Sequence, residues 1–115
     1  MLFLCYPKCT TCQKAKKWLD DRQVSYEMRD IKLQNPSKEE LEQWYRVSGL
    51  PLKKFFNTSG LLYKSMQLKD KLPQMTEDEQ LELLAGDGML VKRPMLITEN
   101  KILVGFKEAE WEETL

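Results

Sequence analysis

The spacing of hydrophobic residues changes along the chain, and each change predicts a new element. Residues 2–6 form a short apolar run that is typical of a buried strand. Apolar residues then recur at helical spacing, which predicts a helix from about residue 10 to residue 22. From residue 24 to residue 29 apolar and polar residues alternate, as in a strand with Val24, Tyr26 and Met28 facing the core. This order predicts a parallel strand pair joined by a right-handed crossover.

Two capping boxes predict helices in the middle of the chain. Residues 37–40 (Ser-Lys-Glu-Glu) and 76–79 (Thr-Glu-Asp-Glu) have the spacing at which a hydroxyl and a carboxylate cap backbone N–H groups reciprocally. We expect the first helix to end at Gly49 and the second to be ended by the glycines of residues 86–88. Asn-Thr-Ser-Gly at 57–60 favours a turn. The segments around that turn are predicted as short helices, at residues 52–56 and 61–68.

The last part of the chain predicts a β-hairpin and a final helix. The apolar runs 95–98 and 102–105 are separated by three polar residues, so they are expected to pair as antiparallel strands. Gly105 allows the chain to turn after the second strand. A short helix over residues 107–115, with Trp111 packed inward, completes the pattern.

The complete order of elements is β-α-β, a helical insertion at about residues 37–86, and then β-β-α. The chain has 115 residues, the length of one domain, and can bury a core without disulfide staples. We therefore predict a single α/β domain over residues 1–115 with a thioredoxin-like fold, in which helices flank a small mixed sheet. In that fold the turn after the first strand lies at the carboxyl edge of the sheet, where open α/β sheets bind ligands.

Two cysteines, Cys9 and Cys12, lie at this strand-to-helix turn. Free N–H groups and the positive end of the helix dipole stabilise a Cys9 thiolate there, and nearby lysines add positive charge, with Lys8 in direct reach. Cys12 lies one helical turn further, so its sulfur can attack a mixed disulfide on Cys9. We interpret Cys9 as the attacking thiol and Cys12 as the resolving thiol. The alternative is that both only fill the core, which is our interpretation of Cys5.

The residue types and charges of the chain exclude other chemistry. There is no histidine, which excludes Ser-His-Asp and Cys-His activation and leaves lysine, arginine and backbone amides to stabilise a thiolate. Three cysteines without a second CxxC argue against a zinc site, and we expect no metal. A formal net charge of zero argues against direct nucleic-acid or membrane binding. Without a signal-peptide pattern or an apolar run of membrane length, we expect a cytoplasmic protein with reduced thiols.

Arg93-Pro94 stands directly before the first strand of the hairpin. In the predicted topology the start of this strand comes close to the first strand-to-helix turn, and this brings Arg93 near Cys9. A tight approach to a reactive thiol makes the Arg-Pro bond a candidate for the cis form. The alternative for Arg93 is a structural ion pair on the protein surface.

Four motifs together resemble the glutaredoxin-linked arsenate reductase family, including its Spx-type branch of regulators. They are YPKCTTCQKAKKWL at the start, FFNTSG in the insertion, LVKRPML before the hairpin and VGFKE before the last helix. CxxC and Arg-Pro are each common, but the four motifs at these spacings cover essentially the whole chain. The resemblance implies that Cys9 is the reactive thiol and that Arg93 binds or polarises an oxyanion beside it.

The same resemblance identifies two departures from the arsenate reductases. Those enzymes hold the oxyanion with three arginines, and the other two positions are occupied here by Asn57 and Lys107. An amide and a lysine replace bidentate arginines poorly, which argues against efficient arsenate turnover. Lys107 remains a candidate anion ligand, the alternative being a surface charge. Cys12 stands where the enzymes usually have serine, whereas Spx-like members carry CxxC and can close an internal disulfide.

Two functional hypotheses follow from these residues and the resemblance. In the first, the chain is a thiol-disulfide redox protein of this family that reduces arsenate or a disulfide. Cys9 attacks, Cys12 resolves and Arg93 orients the oxyanion or an incoming thiol. Lys8 and Lys107 assist binding, no cofactor is held, and glutathione with glutaredoxin, or thioredoxin, resets the pair. In the second, the chain is a redox-sensing regulator that binds the α subunit of RNA polymerase, as Spx-type proteins do, without turnover.

Overall fold

Four short strands form one mixed sheet in a computed structural model that describes residues 1–115. The strands are β1 (Leu2–Cys5), β2 (Glu27–Asp30), β3 (Met95–Ile97) and β4 (Ile102–Val104). Their order across the sheet is β2-β1-β3-β4. β1 is parallel to β2 and antiparallel to β3, and β3 is antiparallel to β4. The predicted parallel pair and the predicted hairpin are both confirmed.

Six α-helices and three 3₁₀ turns complete the fold. The helices are α1 (Thr10–Asp21), α2 (Lys38–Ser48), α3 (Leu61–Ser65), α4 (Leu68–Lys71), α5 (Glu77–Gly86) and α6 (Glu108–Thr114). The 3₁₀ turns are Leu52–Phe55, Leu72–Gln74 and Gly88–Leu90. The fold is α/β and thioredoxin-like, with a helical insertion between its β-α-β and β-β-α halves, as the sequence predicted.

Both predicted capping boxes are present. The Ser37 hydroxyl accepts a hydrogen bond from the Glu40 N–H at the start of α2, and the Glu40 carboxylate accepts one from the Ser37 N–H. Thr76 and Glu79 form the same reciprocal pair at the start of α5. Gly49 ends α2 in the left-handed conformation with φ of 67°, which glycine adopts without a steric penalty.

The strand predicted from residues 24–29 is shorter than its alternation suggested, and one side chain that was expected in the core is exposed. Val24 and Tyr26 pack against the core before β2 begins. Met28 is 44% exposed, so the prediction that it faces the core is wrong. β2 is an edge strand that pairs only with β1, where Met28 is the register partner of Phe3. Exposed apolar residues are common at a protein surface, so the alternation does not require Met28 to be buried.

The predicted helix at residues 61–68 is interrupted. α3 ends at Ser65, and Gln67 then adopts a left-handed conformation with φ of 55° before α4 begins at Leu68. The break directs Tyr63 and Leu68 into the same apolar cluster. Burial of these two side chains explains why the chain accepts an unfavourable backbone conformation at a residue other than glycine.

The sheet separates two apolar clusters, because successive side chains of a strand point to opposite faces. In β1, Phe3 and Cys5 lie on the face covered by α1 and α6, whereas Leu4 lies on the face covered by the insertion. The first face buries nine residues, and we call this group the thiol-side cluster; it includes Cys12 and Trp111. The second face buries sixteen, the insertion-side cluster.

Candidate functional site

Cys9 is the residue that directly precedes α1. Its backbone is extended, with φ of −83° and ψ of 124°, so it is the N-cap of the helix. The preceding turn is closed by a hydrogen bond from the Cys9 N–H to the Tyr6 carbonyl at 2.9 Å. The Gln13 side-chain amide donates to the Pro7 carbonyl at 3.0 Å and ties this turn to the helix. Cys9 is thereby held at the positive end of α1, and its side chain is partly exposed.

The surroundings of Cys9 lower the pKa of its thiol. Burial acts to raise this pKa, but the N–H groups of Cys12 and Thr11, the Cys12 thiol and the positive charge of Arg93 outweigh it. The amides act mainly through their dipoles, because the Cys9 side chain accepts no capping hydrogen bond of regular geometry. A lowered pKa favours the thiolate form that a nucleophilic cysteine needs.

Cys12 has the opposite character, although it lies only three residues further along. It is 2% exposed in the thiol-side cluster, and its sulfur accepts a hydrogen bond from the Tyr6 N–H at 3.3 Å. Burial raises the pKa of the Cys12 thiol to about 12, the Tyr6 N–H opposes this shift, and the neighbouring Cys9 adds to it. Cys12 is therefore a protonated thiol when Cys9 is a thiolate. All three cysteines are reduced in this structure.

Cys5 packs in the same cluster as Cys12, which agrees with its interpretation as a core residue. It is 2% exposed on β1. Burial, and then the charge of Asp30, raise the pKa of its thiol. A buried thiol with a raised pKa is a poor nucleophile, so its environment favours packing over reactivity.

Arg93 lies beside Cys9, and its peptide bond to Pro94 is cis. Its guanidinium lies 5.2 Å from the centre of the Tyr6 ring, and one terminal nitrogen donates to the Met89 carbonyl at 3.4 Å. It forms no ion pair with any carboxylate, and its Nε is buried without a hydrogen-bond partner. The alternative of a structural ion pair therefore does not apply, and Arg93 has donors free for an anion.

Cys9 and Arg93 open onto one cleft of about 750 Å³, which we call the Cys9 cleft. Asn57 and Lys107, which the resemblance assigns to the two other arginine positions of the arsenate reductases, also line it. Lys107 pairs with Glu110 at 3.5 Å, and both side chains are more than half exposed, so this pair is weak. Lys8 is exposed and does not line the cleft.

Three further lysines line the Cys9 cleft that the sequence did not single out: Lys53, Lys54 and Lys92. Two of them lie on the 3₁₀ turn Leu52–Phe55, about forty residues away from the CxxC motif in the chain. Only the adjacent position of Lys92 and Arg93 could have indicated one of them from sequence. Their convergence is a product of the tertiary fold.

The chain contains neither a metal-ligand cluster nor a membrane-spanning helix. No group of three or more cysteine, aspartate or glutamate side chains is placed to hold a metal ion. No helix combines the length and the apolar character needed to cross a bilayer. The Cys9 cleft is thus the place where reactive and charged groups converge.

Comparison with known proteins identifies the family of this chain. YusI of Bacillus subtilis, an uncharacterised protein, is 57% identical over 98% of this chain and 96% of its own length. A solved structure described as a possible arsenate reductase from Streptococcus mutans is 48% identical with a TM-score of 0.91, covering 99% of this chain and 97% of the other. The global transcriptional regulator Spx of Listeria innocua is 28% identical over 90% of this chain and 78% of its own. The sequence profile of the ArsC family matches residues 4–114, and the chain belongs to that family.

Proposed function

We propose that this ArsC family protein is a thiol-disulfide redox protein in which Cys9 attacks and Cys12 resolves. The observation that carries this proposal is the contrast between the two thiols: the pKa of Cys9 is lowered at the start of α1, whereas the pKa of Cys12 is raised to about 12. A nucleophile must be ionised before it reacts, and a resolving thiol must not compete with it.

The first step is thiol-disulfide exchange. The Cys9 thiolate attacks one sulfur of a disulfide RSSR, the S–S bond breaks, and RS⁻ leaves while Cys9–S–S–R forms. The guanidinium of Arg93 stabilises the negative charge that moves onto the leaving sulfur, since no carboxylate neutralises it and only one of its nitrogens donates within the protein. Lys8 and Lys107 add weaker positive charge from exposed positions.

The second step uses Cys12. Formation of the mixed disulfide removes the Cys9 anion, and this anion is one of the causes that keep the pKa of Cys12 high. The Cys12 proton passes to the departing thiolate, the Cys12 sulfur attacks Cys9, and a second RSH leaves. The protein now holds a Cys9–Cys12 disulfide, and the substrate has gained two electrons and two protons. An external thiol reductant, either glutathione with glutaredoxin or thioredoxin, returns the pair to dithiols.

A disulfide is a better candidate substrate than arsenate. Asn57 cannot supply charge to an oxyanion, and Lys107 is partly neutralised by Glu110. Only Arg93 retains the bidentate geometry that a tetrahedral oxyanion favours. The single arginine still suffices to stabilise one leaving thiolate, so the same site suits disulfide exchange.

The proposal is tested with a small disulfide, thioredoxin or glutaredoxin, and NADPH as the final electron donor. We expect NADPH consumption that falls to background with Cys9→Ser. With Cys12→Ser we expect a mixed disulfide to accumulate on Cys9, visible as a mass increase that dithiothreitol reverses. If Cys12→Ser traps no mixed disulfide and loses no turnover, Cys12 has no resolving role.

A second candidate function is a redox-sensing regulator without turnover. The similarity to Spx over 90% of this chain is the observation that supports it. Oxidation would join Cys9 to Cys12 at the start of α1 and change the surface there, which a partner such as the α subunit of RNA polymerase would read. Capture of RNA polymerase subunits by the oxidised protein but not by the reduced one, without Cys9-dependent NADPH consumption, would favour the regulator.

A further inference from the structure

The Cys9 cleft concentrates positive charge in a protein whose formal net charge is zero. Five cationic side chains line it, against the single carboxylate of Glu110. The compensating acidic residues lie elsewhere, for example in the first turn of α5. A cleft with an excess of four positive charges attracts anions and raises their local concentration.

Backbone pairing holds the cations of the insertion against those of the segment that directly precedes β3. Phe56 and Val91 form an isolated antiparallel bridge. The Asn57 N–H donates to the Leu90 carbonyl and the Lys92 N–H to the Phe55 carbonyl, both at 2.8 Å. Both bridge residues are buried, at 1% and 0% exposure, so the bridge is a fixed part of the fold. It places the 3₁₀ turn that carries Lys53 and Lys54 beside Lys92 and Arg93.

Four of these five cations have no carboxylate partner. Lys53, Lys54, Lys92 and Arg93 form no ion pair, in contrast to Lys16 and Lys17 of α1, which pair with aspartates at 2.8 and 2.9 Å. The Nε of Arg93 is buried and has no hydrogen-bond partner within the protein, as expected for a guanidinium that binds a ligand. Unpaired charges that converge on one cleft, with a buried donor among them, indicate a ligand with several negative charges.

We infer that the substrate of the Cys9 cleft is a low-molecular-weight disulfide that carries at least two anionic groups, one near Arg93 and another on a second subsite formed by Lys53, Lys54 and Lys92. This inference rests on the proposed disulfide exchange at Cys9. The volume of about 750 Å³ matches pockets for small ligands, which span roughly 300–1,000 Å³. Phe56 and Phe106 supply apolar walls for the carbon skeleton.

The electron balance is that of the proposed exchange. The anionic disulfide accepts two electrons and two protons and leaves as two anionic thiols, while Cys9 and Cys12 become a disulfide. An external thiol reductant, either glutathione with glutaredoxin or thioredoxin, reduces the Cys9–Cys12 disulfide back to two thiols. The charges of the substrate do not change in the reaction, so Lys53, Lys54 and Lys92 contribute binding and orientation, and Arg93 alone touches the leaving sulfur.

Three small disulfides that differ in charge test the inference: dithiodiglycolate with two negative charges, hydroxyethyl disulfide with none and cystamine with two positive charges. Each kcat/KM is divided by the rate of the same disulfide with free dithiothreitol. We expect dithiodiglycolate to exceed hydroxyethyl disulfide by about fivefold or more at low salt, cystamine to be the slowest, and the preference to shrink as salt is added.

The double variant Lys53→Gln, Lys54→Gln should have an about fivefold lower normalised kcat/KM for dithiodiglycolate. Its normalised kcat/KM for hydroxyethyl disulfide should stay unchanged, because that substrate has no charge. Lys69→Gln with Lys71→Gln is the matched control, because it removes the same charge from exposed lysines of α4 outside the cleft. Equal values for the charged and neutral disulfides, or equal losses in the two double variants, overturn the inference. A loss seen only with a protein disulfide also overturns it, in favour of an acidic protein partner.

A second readout separates failure of the inference from failure of the proposed function. The ratio of Cys9 alkylation rates by anionic iodoacetate and neutral iodoacetamide needs no turnover. If no disulfide is reduced but the ratio falls with the Lys53 and Lys54 variant and not with the control, the anion subsite stands and the exchange reaction fails. If disulfides are reduced but the ratio is the same in all variants, the exchange stands and the subsite fails.

Discussion

The two faces of the sheet make different contributions to the Cys9 cleft. The thiol-side cluster holds the Cys12 side chain of α1 and supports Cys9 at the start of the same helix. The insertion-side cluster holds the 3₁₀ turn with Lys53 and Lys54, whose side chains reach the cleft from the other side of the sheet. The thiols come from one face, and two of the five cations of the cleft come from the other.

Under the proposed function, this difference lets the substrate change without a change of the nucleophile. The thiol pair depends on local structure, namely a strand end, a helix start and a three-residue spacing. Lys53 and Lys54 belong to the insertion, which packs against the other face of the sheet, whereas the other three cations of the cleft lie outside the insertion. Substitutions in the insertion should therefore alter which molecules reach Cys9 more than they alter the reactivity of Cys9 itself.

The largest expected effect is that of replacing Cys9, and Cys5 provides the contrast. Cys9→Ser should lower disulfide reduction by about 10³-fold or more, because the nucleophile is lost. Cys5→Ala should leave the reaction intact and cost about 1 kcal/mol of stability, since it removes a small buried side chain. Coupled NADPH assays and urea denaturation measure the two effects. Loss of turnover in Cys5→Ala without unfolding would give Cys5 a redox role.

Removal of a large side chain from each cluster compares the two faces directly. Trp111 is fully buried, its Nε1 donates to the Gly105 carbonyl at 3.1 Å, and its ring contacts Phe106 of the cleft with centroids 4.9 Å apart. Trp111→Ala should lower the free energy of unfolding by about 3–5 kcal/mol, and Leu84→Ala on α5 by about 2–5 kcal/mol. Urea denaturation measures both losses.

Only the first of these variants should also disturb the reactivity of Cys9, because only Trp111 packs on the thiol side. The rate of Cys9 alkylation, measured below the urea transition of each variant, checks this expectation. Trp111→Phe, which keeps an aromatic ring, is the control. Equal disturbance of Cys9 by Leu84→Ala would show that the two faces are not independent.

Arg93 lies beside Cys9 and lines the Cys9 cleft together with the lysines. Substitution of Arg93 should have a larger effect on the reduction of an anionic disulfide than substitution of Lys107. Arg93→Ala should lower the kcat/KM for an anionic disulfide about ten- to a hundredfold, because it removes charge-assisted donors. This factor corresponds to a loss of roughly 1.5–3 kcal/mol of transition-state stabilisation. Lys107→Ala should cost less than about 1 kcal/mol, because Lys107 is exposed and paired with Glu110. Equal losses would reverse the ranking of the two residues as anion ligands.

The smallest effect concerns the ion pair between Arg29 of β2 and Glu40 of α2, which does not line the Cys9 cleft. Arg29 donates to both carboxylate oxygens of Glu40, at 2.7 and 2.9 Å, and this pairing lowers the pKa of Glu40 to about 2. In the unfolded protein the pKa of a glutamate is about 4.3, so the lower pKa in the folded protein stabilises the folded state at pH values above about 4.3. This stabilisation is lost as the pH falls through the pKa of Glu40 in the folded protein. Because Glu40 is 36% exposed, we expect only about 1 kcal/mol.

Glu40→Gln should therefore unfold at lower urea concentration than the parent protein at pH 7, and the difference should disappear toward pH 2. The pH midpoint of Cys9 alkylation should stay the same, since the pair lies outside the cleft. A difference in stability that persists at pH 2 would point to the capping box, and not the ion pair, as its source.

The sequence predicted the parts of the site that are local. Strand, turn and helix around Cys9 follow from hydrophobic spacing, and the two capping boxes fixed the starts of α2 and α5. The approach of Arg93 to Cys9 followed from topology. The failures had long-range causes. Met28 is exposed because β2 is an edge strand, and Lys53 and Lys54 reach the cleft only through the bridge between Phe56 and Val91.

The rate of Cys9 alkylation by iodoacetamide as a function of pH tests the central claim most directly, with the labelled site identified by mass spectrometry. The claim is that the start of α1 and Arg93 together activate the Cys9 thiolate. It predicts a midpoint below the ordinary cysteine value of about 8.5, a shift of this midpoint to higher pH in Arg93→Ala, and no labelling of Cys12 in the folded protein. A midpoint at or above about 8.5, or one that Arg93→Ala leaves in place, would contradict the account.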